Sequence, residues 1–419
     1  FEFAFLRRAV AADPNLLVVG VQRTADRKYL RLGVEDSLDL LQGFPRTREE
    51  LFRYRALVLG SVEASFFTAD QLRMIGDFVG RRGGGFLALG GRRAFGEGGY
   101  AGTPLDELLP FGIAPVRDTA PLLELRAATT PAGAGNPVIQ IRADDRASAA
   151  AWQALPPVTS VNRIGPLKPG AIALLEGADT AGQGRQPLLA YQRFGRGKAA
   201  AFTAQDAWLW RMHADVPVDD TTHEQFWRQL LRWLSDGTPD RVTVTTGQPF
   251  VQPGEPITVE AEVVDSTWQA VNGADVTAIV TTPAGRVVEQ PLGWDVRSDG
   301  RYRGRVTTIE PGRYQVEVRA VAGADSVAGA LSFVEAGETN VEFFGAERRR
   351  DALRRIAAET GGRYYDLTDA GALPDDIVYS SRGITRTDRL DLWNLPAVFV
   401  LLLGLIGGEW LGRRRRGLA

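Results

Sequence analysis

Cysteine is missing from this 419-residue sequence, and histidine and methionine occur only twice each. The lack of cysteine excludes disulfides, thiolate metal sites and every mechanism that uses a cysteine nucleophile. The 49 basic and 51 acidic residues give a formal net charge of −2. The basic excess typical of nucleic-acid-binding proteins is therefore also missing. We expect neither nucleic acid nor a cofactor among the partners of this chain.

The composition is that of a folded chain with more than one domain. Apolar residues make up 44% of the sequence, and the mean hydropathy is −0.13. These values exclude a disordered chain and a protein with many membrane helices. At about 150 residues per domain, the length predicts two or three domains. The sequence begins with Phe1 and shows no signal peptide, so we expect it to be the later part of a longer protein.

One long uncharged run lies near the C-terminus. Leu392–Gly408 is free of charge over 17 residues, and extension to Gly412 gives a helix long enough to cross a bilayer of about 30 Å. Trp393 and Trp410 occupy the positions of interfacial aromatic residues. A buried core helix is the alternative, but a run so close to the chain end has little left to bury it. Four basic residues follow directly: Arg413, Arg414, Arg415 and Arg416.

The basic cluster also predicts how the chain is oriented in the membrane. Arginine-rich flanks stay on the cytoplasmic side. We therefore predict a transmembrane helix over 391–412 and a cytoplasmic tail over 413–419. The bulk of the chain would then lie on the extracytoplasmic side of a bacterial inner membrane.

The first 240 residues alternate short apolar runs with helical patterns. Thr68 and Gln71 have the spacing of a helix capping box. Helices are predicted over 1–12, 69–82 and 223–234, and strands over 16–22, 56–59, 86–89, 171–175, 188–192 and 198–203. Such alternation indicates a parallel α/β sheet covered on both faces. We assign 1–240 to one α/β domain and expect its first strand to be missing, because the pattern begins with a helix.

The apolar period changes near Asp240. Alternating residues such as those of Tyr314–Ala320, separated by Pro-Gly, Asn-Gly and Asp-Gly turns, predict an antiparallel, immunoglobulin-like β-sandwich over 241–336. A small αβ unit and linker are predicted over 337–390. That unit would contain a helix over 347–360 and a strand over 363–367.

Three segments of the α/β region carry a family resemblance: Ala56 to Ala64, Phe67 to Leu72 and the glycine-rich Arg82 to Leu105. They resemble the class I glutamine amidotransferase-like superfamily, and more closely the bacterial membrane proteins of the putative glutamine amidotransferase family. The resemblance extends over nearly the whole chain, including Leu392 to Pro396. It implies a flavodoxin-like fold, and a longer protein with upstream membrane helices and a von Willebrand factor A domain.

The residues that amidotransferase chemistry requires are missing at the matching positions. The reaction needs a Cys at a strand-to-helix elbow, a His that deprotonates it and a carboxylate that orients the His. Gly90 and Gly91 follow the predicted strand 86–89, where the nucleophile would project. Ala204, Gln205 and Asp206 follow the strand 198–203. The resemblance therefore implies the fold without the reaction, and we predict no catalytic residues.

Two interpretations of the glycine-rich loop remain open. Its glycines can serve only the backbone, because they permit close approach and positive φ. The alternative is recognition of a ligand or partner at the sheet edge by side chains of the loop and of the segment after the last strand. These candidates are Arg92, Arg93, Glu97, Tyr100, Gln205 and Asp206.

Both histidines, His213 and His223, lie in one short acidic segment. Mixed His and carboxylate ligands suit a divalent metal. The alternative is structural, because Thr221 and Glu224 have capping-box spacing before a helix. The nearby Trp227 shares helical spacing with leucines, which favours core packing over a sugar-binding platform.

The sequence thus predicts a membrane-anchored envelope protein whose degenerate amidotransferase-like ectodomain serves interaction or scaffolding with protein partners. A small-ligand sensor or hydrolase that uses the carboxyl edge of the α/β sheet is the alternative.

Overall fold

The computed structural model describes residues 2–113, 124–179, 184–323, 325–337, 348–360, 362–376 and 396–417. The chain divides into two compact units, Phe1–Thr339 and Asn340–Ala419.

The helices are α1 Glu2–Val10, α2 Arg48–Phe52, α3 Ala69–Gly80, α4 Pro104–Leu108, α5 Asp145–Ala154, α6 Leu209–Met212, α7 Thr222–Ser235, α8 Arg350–Glu359, α9 Leu373–Asp376 and α10 Pro396–Arg415. The first ten strands are β1 Gly20–Ala25, β2 Lys28–Leu32, β3 Ala56–Gly60, β4 Gly85–Leu89, β5 Phe111–Ile113, β6 Leu125–Thr129, β7 Ile164–Leu167, β8 Ile172–Asp179, β9 Arg185–Phe194 and β10 Gly197–Phe202. The later strands are β11 Val242–Thr246, β12 Phe250–Val251, β13 Pro256–Val263, β14 Asp275–Thr281, β15 Val287–Trp294, β16 Arg301–Thr307, β17 Gly312–Ala322 and β18 Asp325–Ala336.

The main sheet of the first unit has six strands in the order β3-β4-β10-β9-β8-β6. β3, β4 and β10 are parallel, whereas β9, β8 and β6 add to them in antiparallel fashion. The prediction of a parallel, flavodoxin-like sheet is therefore wrong for half of the strands. The cause is local: only Gly195, at φ +56°, and Arg196 separate β9 from β10. A connection of two residues joins antiparallel strands, while parallel strands need a long crossover.

Both faces of this sheet are buried, as the apolar strands predicted. Along β4, Phe86 and Ala88 enter one core, and Leu87 and Leu89 enter the other. This alternation follows from the two-residue period of a strand. One core contains the tryptophans of α5, α6 and α7, and the other contains phenylalanines from α3 and the loop after β4. Core packing of Trp227, which is fully buried, is confirmed.

The N-terminal segment differs from the prediction in one respect. The strand expected over 16–22 is shifted to β1 and pairs only with β2 in a separate two-stranded hairpin. Helix α3 begins as predicted: the Thr68 hydroxyl accepts from the Gln71 N–H, and the Gln71 side chain accepts from the Thr68 N–H. Both bonds satisfy N–H groups that a helix start leaves unpaired.

Residues from Val242 to Ala336 form a β-domain built from one curled sheet. Its eight strands follow the order β11-β13-β16-β15-β14-β17-β18-β12. The curl brings β11 back to β18, with the hydroxyl oxygens of Thr246 and Ser332 3.2 Å apart. Alternate residues of β13, β14 and β17 fill the enclosed core. The prediction of purely antiparallel strands needs one correction, because β12 and β18 pair in parallel through two residues.

The second unit contains α8, a 3-10 helix over Leu367–Ala372, α9 and α10. The strand predicted over 363–367 does not form: residues 363–366 are irregular, and Leu367 opens the 3-10 helix. A strand needs a hydrogen-bonding neighbour, and the described part of this unit contains no strand to provide one.

Candidate functional site

The candidate site is the elbow formed where β4 and β10 end. These strands are parallel neighbours, so their carboxyl ends meet at one edge of the sheet. Gly90 follows β4 directly, and its N–H donates to the carbonyl of Phe202 at 2.6 Å. The segment 204–206 follows β10 and therefore begins at the same edge as Gly90 and Gly91.

The elbow has no room for a side chain at either glycine. A Cβ on Gly90 would lie 2.4 Å from the carbonyl oxygen of Thr203. A Cβ on Gly91 would lie 2.6 Å from both Cβ and Oγ of Ser61. Ser61 itself has φ +51°, a conformation that few residues other than glycine adopt. The Ser61 side chain after β3 and the Thr203 carbonyl after β10 therefore close the place from which a nucleophile would project.

The Asn162 side chain holds this elbow in place by hydrogen bonds to its backbone. It is only 2% exposed. Its Oδ1 accepts from the Gly91 N–H at 2.9 Å, and its Nδ2 donates to the Gly91 carbonyl at 3.0 Å. The same Nδ2 donates to Oε2 of Glu97 at 3.1 Å, and Nε2 of Gln205 donates to Oδ1 at 3.4 Å. Glu97 and Gln205 are thus brought together, through a residue that the sequence analysis missed.

The two loop arginines lie outside this network. Arg93 approaches Glu63 at 3.5 Å, and Arg23 donates to the same carboxylate at 2.7 Å. The hydrogen bond from Arg23 lowers the pKa of Glu63 below its usual value. Arg92 is exposed and forms no ion pair with any residue that the structure describes.

Tyr100 lies in the core rather than on the site surface. It is 1% exposed, and its hydroxyl donates to the Val62 carbonyl at 2.7 Å. Burial raises the pKa of this hydroxyl. Its ring is therefore not open to a ligand, and its hydrogen bond fixes the loop after β3.

Asp206 forms no hydrogen bond with Asn162 and instead binds Thr159 and Ser160, which precede Asn162 in the chain. One carboxylate oxygen accepts from the N–H and hydroxyl of Thr159, at 2.8 and 2.7 Å, and from the N–H of Ser160 at 3.1 Å. The Glu2 carboxyl group lies close enough to the Asp206 carboxylate for the two to interact electrostatically. Burial raises the pKa of Glu2 to about 8, and the negative charge of Asp206 adds to that rise.

One protein-family model matches the part of the chain that contains the elbow. Residues 36–236 match the model of the family described as "Putative glutamine amidotransferase". This region is a glutamine amidotransferase-like domain. No curated protein matches the chain.

Similarities to solved structures are weak. The Lin-41 filamin domain is 15% identical, with 24% of this chain and 96% of that domain covered and a TM-score of 0.19. The PKD domain of an M14-like peptidase from a Thermoplasmatales archaeon is 17% identical, with coverage of 24% and 99% and a TM-score of 0.17. The tetra-tandem repeat of a large adhesion protein is 13% identical, with coverage of 42% and 34% and a TM-score of 0.19. At such TM-scores these likenesses do not bear on fold or function.

The histidines of the amidotransferase-like domain do not form a metal centre in this structure. His223 is 1% exposed, and its Nε2 accepts from Nε1 of Trp227 at 3.0 Å. Burial lowers the pKa of His223 to about 4, and the nearby Arg211 adds to the effect. Nδ1 of His213 accepts from the Asp215 N–H at 3.2 Å. Within the described residues, no group of three or more metal-ligating side chains is assembled.

The start of α7 differs from the capping box that the sequence predicted at Thr221 and Glu224. The Thr221 side chain makes no capping hydrogen bond, so the predicted capping box is not formed. Oε1 of Glu224 instead lies 2.8 Å from Nε of Arg211. Oδ1 of Asp220 accepts from the Thr222 N–H at 2.7 Å.

The predicted membrane anchor corresponds to α10, a helix of 20 residues with mean hydropathy 1.4 and no buried residues. By length and composition it can cross a membrane. Glu409 pairs with Arg413 at 2.7 Å, and the Arg414 guanidinium lies 5.2 Å from the Trp410 ring centroid. Arg415 ends the helix and Arg416 follows it. Trp393 lies outside the described residues.

Proposed function

We propose that this chain is a non-catalytic, membrane-anchored protein of the bacterial envelope. Its degenerate amidotransferase-like domain would serve as an interaction or scaffolding ectodomain. The observation that carries this proposal is the closed elbow, where Gly90 and Gly91 have no space for a Cβ and Asn162 binds both polar backbone groups of Gly91.

The surroundings of the elbow support the same conclusion. The sequence has no cysteine to act as the nucleophile. Asp206 stands where the superfamily would present its His and acid, but its hydrogen bonds go to Thr159 and Ser160. A base must lie within hydrogen-bond reach of the proton that it abstracts. The two histidines belong to the α6–α7 region, where His223 is bound to Trp227.

The β-domain would act as an immunoglobulin-like spacer or contact module. The Tyr314 hydroxyl donates to the Glu310 carbonyl at 3.0 Å and accepts from the Ile309 and Glu310 N–H groups. A tyrosine bound to backbone a few residues upstream is typical of the tyrosine corner in such domains.

Helix α10 would hold the protein in the inner membrane. An apolar helix followed by arginines satisfies the positive-inside rule with a cytoplasmic tail, so the amidotransferase-like domain would be extracytoplasmic. The ion pair between Glu409 and Arg413 reduces the cost of placing an acid near the end of the span. If the resemblance to the wider family holds for the whole protein, an upstream von Willebrand factor A domain would belong to it as well.

The test is ammonia release from glutamine by the full chain in lipid vesicles. We expect no release above buffer, and the same result for Asp206→Asn. Release that exceeds buffer and is lost in Asp206→Asn would overturn the proposal. Vesicle flotation checks the anchor separately, because a chain that ends before α10 should stay at the bottom of the gradient.

A small-ligand sensor or hydrolase remains a second candidate, favoured by the convergence of Glu97 and Gln205 on Asn162. Thermal shift with glutamine, nucleotides and sugars tests it. A ligand present at 100 times its Kd would add about 2.7 kcal/mol to the stability. A shift that disappears in Gln205→Ala, but not in Gln290→Ala of the β-domain, would favour the sensor. No shift with any of these ligands would overturn it.

A further inference from the structure

Helix α8 presents an uncovered apolar stripe. At about 100° per residue, Ala352, Leu353, Ile356 and Ala357 fall within one arc of about 140°. Leu353 is 43% exposed and Ile356 is 58% exposed. No residue of α8 is buried by the described part of the chain. An uncovered stripe of this kind is a candidate contact surface.

Arginine dominates the charge of α8 and its N-terminal flank, although the helix also carries Asp351 and Glu359. Five of the eight residues from Arg348 to Arg355 are arginine. Asp366 forms ion pairs with two of these arginines, at 2.5 Å from Arg348 and 3.0 Å from Arg350. Arg349 and Arg355 have no acidic partner within hydrogen-bonding distance among the residues that the structure describes. The helix and its N-terminal flank therefore combine an apolar stripe with an excess of positive charge.

We propose that α8 lies flat on the surface of the bilayer that α10 crosses. Leu353 and Ile356 would enter the boundary between headgroups and acyl chains. Arg349 and Arg355 would contact the phosphates of anionic lipids. The proposal rests on the membrane anchor proposed above and adds a second, peripheral contact with the same membrane.

Two arguments favour a lipid surface over a protein groove as the occupant. Helices with this combination of a basic face and an apolar face bind anionic membrane interfaces, and each arginine near such a surface contributes to the attraction. The second argument is tethering. Residues 360–395 connect α8 to α10, so anchoring makes its membrane contact an intramolecular event. A stripe with two large apolar residues, too weak to hold a free helix on a bilayer, suffices under that condition.

The absence of native cysteine allows a clean test with single labels. Ala352→Cys places a polarity-sensitive fluorophore on the apolar arc, and Ala358→Cys places it on the opposite side of the same helix. Both native residues are exposed alanines, so the pair is matched. Each labelled full chain is reconstituted into vesicles of phosphatidylcholine, with or without phosphatidylglycerol, and flotation records whether the anchor holds.

With phosphatidylglycerol present, we expect a blue-shifted label at position 352 that membrane nitroxides quench, and an unshifted label at position 358. Removal of the anionic lipid should lower docking, as should Arg349→Gln and Arg355→Gln, by about 5-fold for each arginine.

Each contrary result has its own meaning. A chain that does not float overturns the anchor and, with it, the tether. A floating chain whose label at position 352 stays in water overturns the docking of α8 alone. A label at position 352 that is shielded equally with and without anionic lipid, and is not quenched by membrane nitroxides, shows that protein covers the stripe and also overturns the proposal.

Discussion

The guanidinium of Arg82 lies over the indole of Trp268, with 3.7 Å between the guanidinium carbon and the ring centroid. Arg82 follows α3 in the amidotransferase-like domain, whereas Trp268 belongs to the loop between β13 and β14 of the β-domain. Nε of Arg82 also donates to the Phe52 carbonyl at 3.0 Å, and the Phe52 ring meets Trp268 edge to face. Burial lowers the pKa of Arg82 to about 10, yet the group stays charged at neutral pH. The two domains of the first unit are therefore joined by a cation-π contact.

We expect Trp268→Ala to weaken this junction and lower the stability of the first unit by about 2–3 kcal/mol, from lost burial and lost cation-π attraction. Differential scanning calorimetry should record a fall in Tm of several degrees. Trp294→Ala is the control, because Trp294 is 40% exposed on β15. An equal effect of both substitutions would mean that the junction contributes nothing specific.

A second prediction concerns the crowding between Gly91 and Ser61. Gly91→Ala introduces a Cβ 2.6 Å from the Ser61 side chain, and overpacking of this kind costs about 1–3 kcal/mol. Ser61→Gly removes the clashing atoms and also suits φ +51°. Urea denaturation of the double variant should recover at least ~1 kcal/mol of the cost.

Gly91→Ala, Ser61→Gly and the double variant form a double-mutant cycle. Its control is Gly76→Ala in α3, where a Cβ meets nothing within 4 Å. This substitution should stabilise the protein by about 0.5–1 kcal/mol, as alanine does within a helix. Strict additivity of Gly91→Ala and Ser61→Gly would contradict the steric account of the closed elbow.

Local pattern was enough to predict the elements that position the site, but not the contacts that close it. The apolar runs of β3, β4 and β10 and the capping box at Thr68 depend on neighbouring residues, so the sequence displays them. The hydrogen bonds between Gly91 and Asn162 span 71 positions, and nothing around Asn162 marks it as a partner. The Arg82–Trp268 contact joins residues that are even farther apart in sequence. The Gly195-Arg196 turn, by contrast, was a visible sign of the antiparallel half of the sheet.

The third prediction tests Asn162 through charge. Asn162→Asp keeps an acceptor for the Gly91 N–H but turns an oxygen toward the Gly91 carbonyl and the Glu97 carboxylate, which lie 3.0 and 3.1 Å from Nδ2. At neutral pH we expect a loss of about 2–3 kcal/mol, because a buried charge then faces two acceptors. Urea denaturation measures it. Glu97→Gln alone should change the free energy of unfolding little, and in the Asn162→Asp background it should restore part of the lost stability. If no stability is restored, the Glu97 carboxylate does not contribute to the cost of the buried aspartate.

The last prediction is a pH dependence that arises from His223. Its folded-state pKa is about 4, below the ordinary 6.5, because burial disfavours the imidazolium. A depressed pKa contributes stability that is fully present above pH 6.5 and is lost as pH falls through 4. The loss should reach about 3 kcal/mol at the acid end. Glu2, with its raised pKa, acts in the opposite direction, since its contribution to stability is present below pH 4.5 and lost as pH rises through 8.

The comparison with His223→Gln, which keeps an acceptor for Trp227, isolates the contribution of the histidine. Thermal unfolding between pH 4 and 7 should show a smaller loss for that variant, and parallel curves would mean that His223 is already accessible to protons in the folded state.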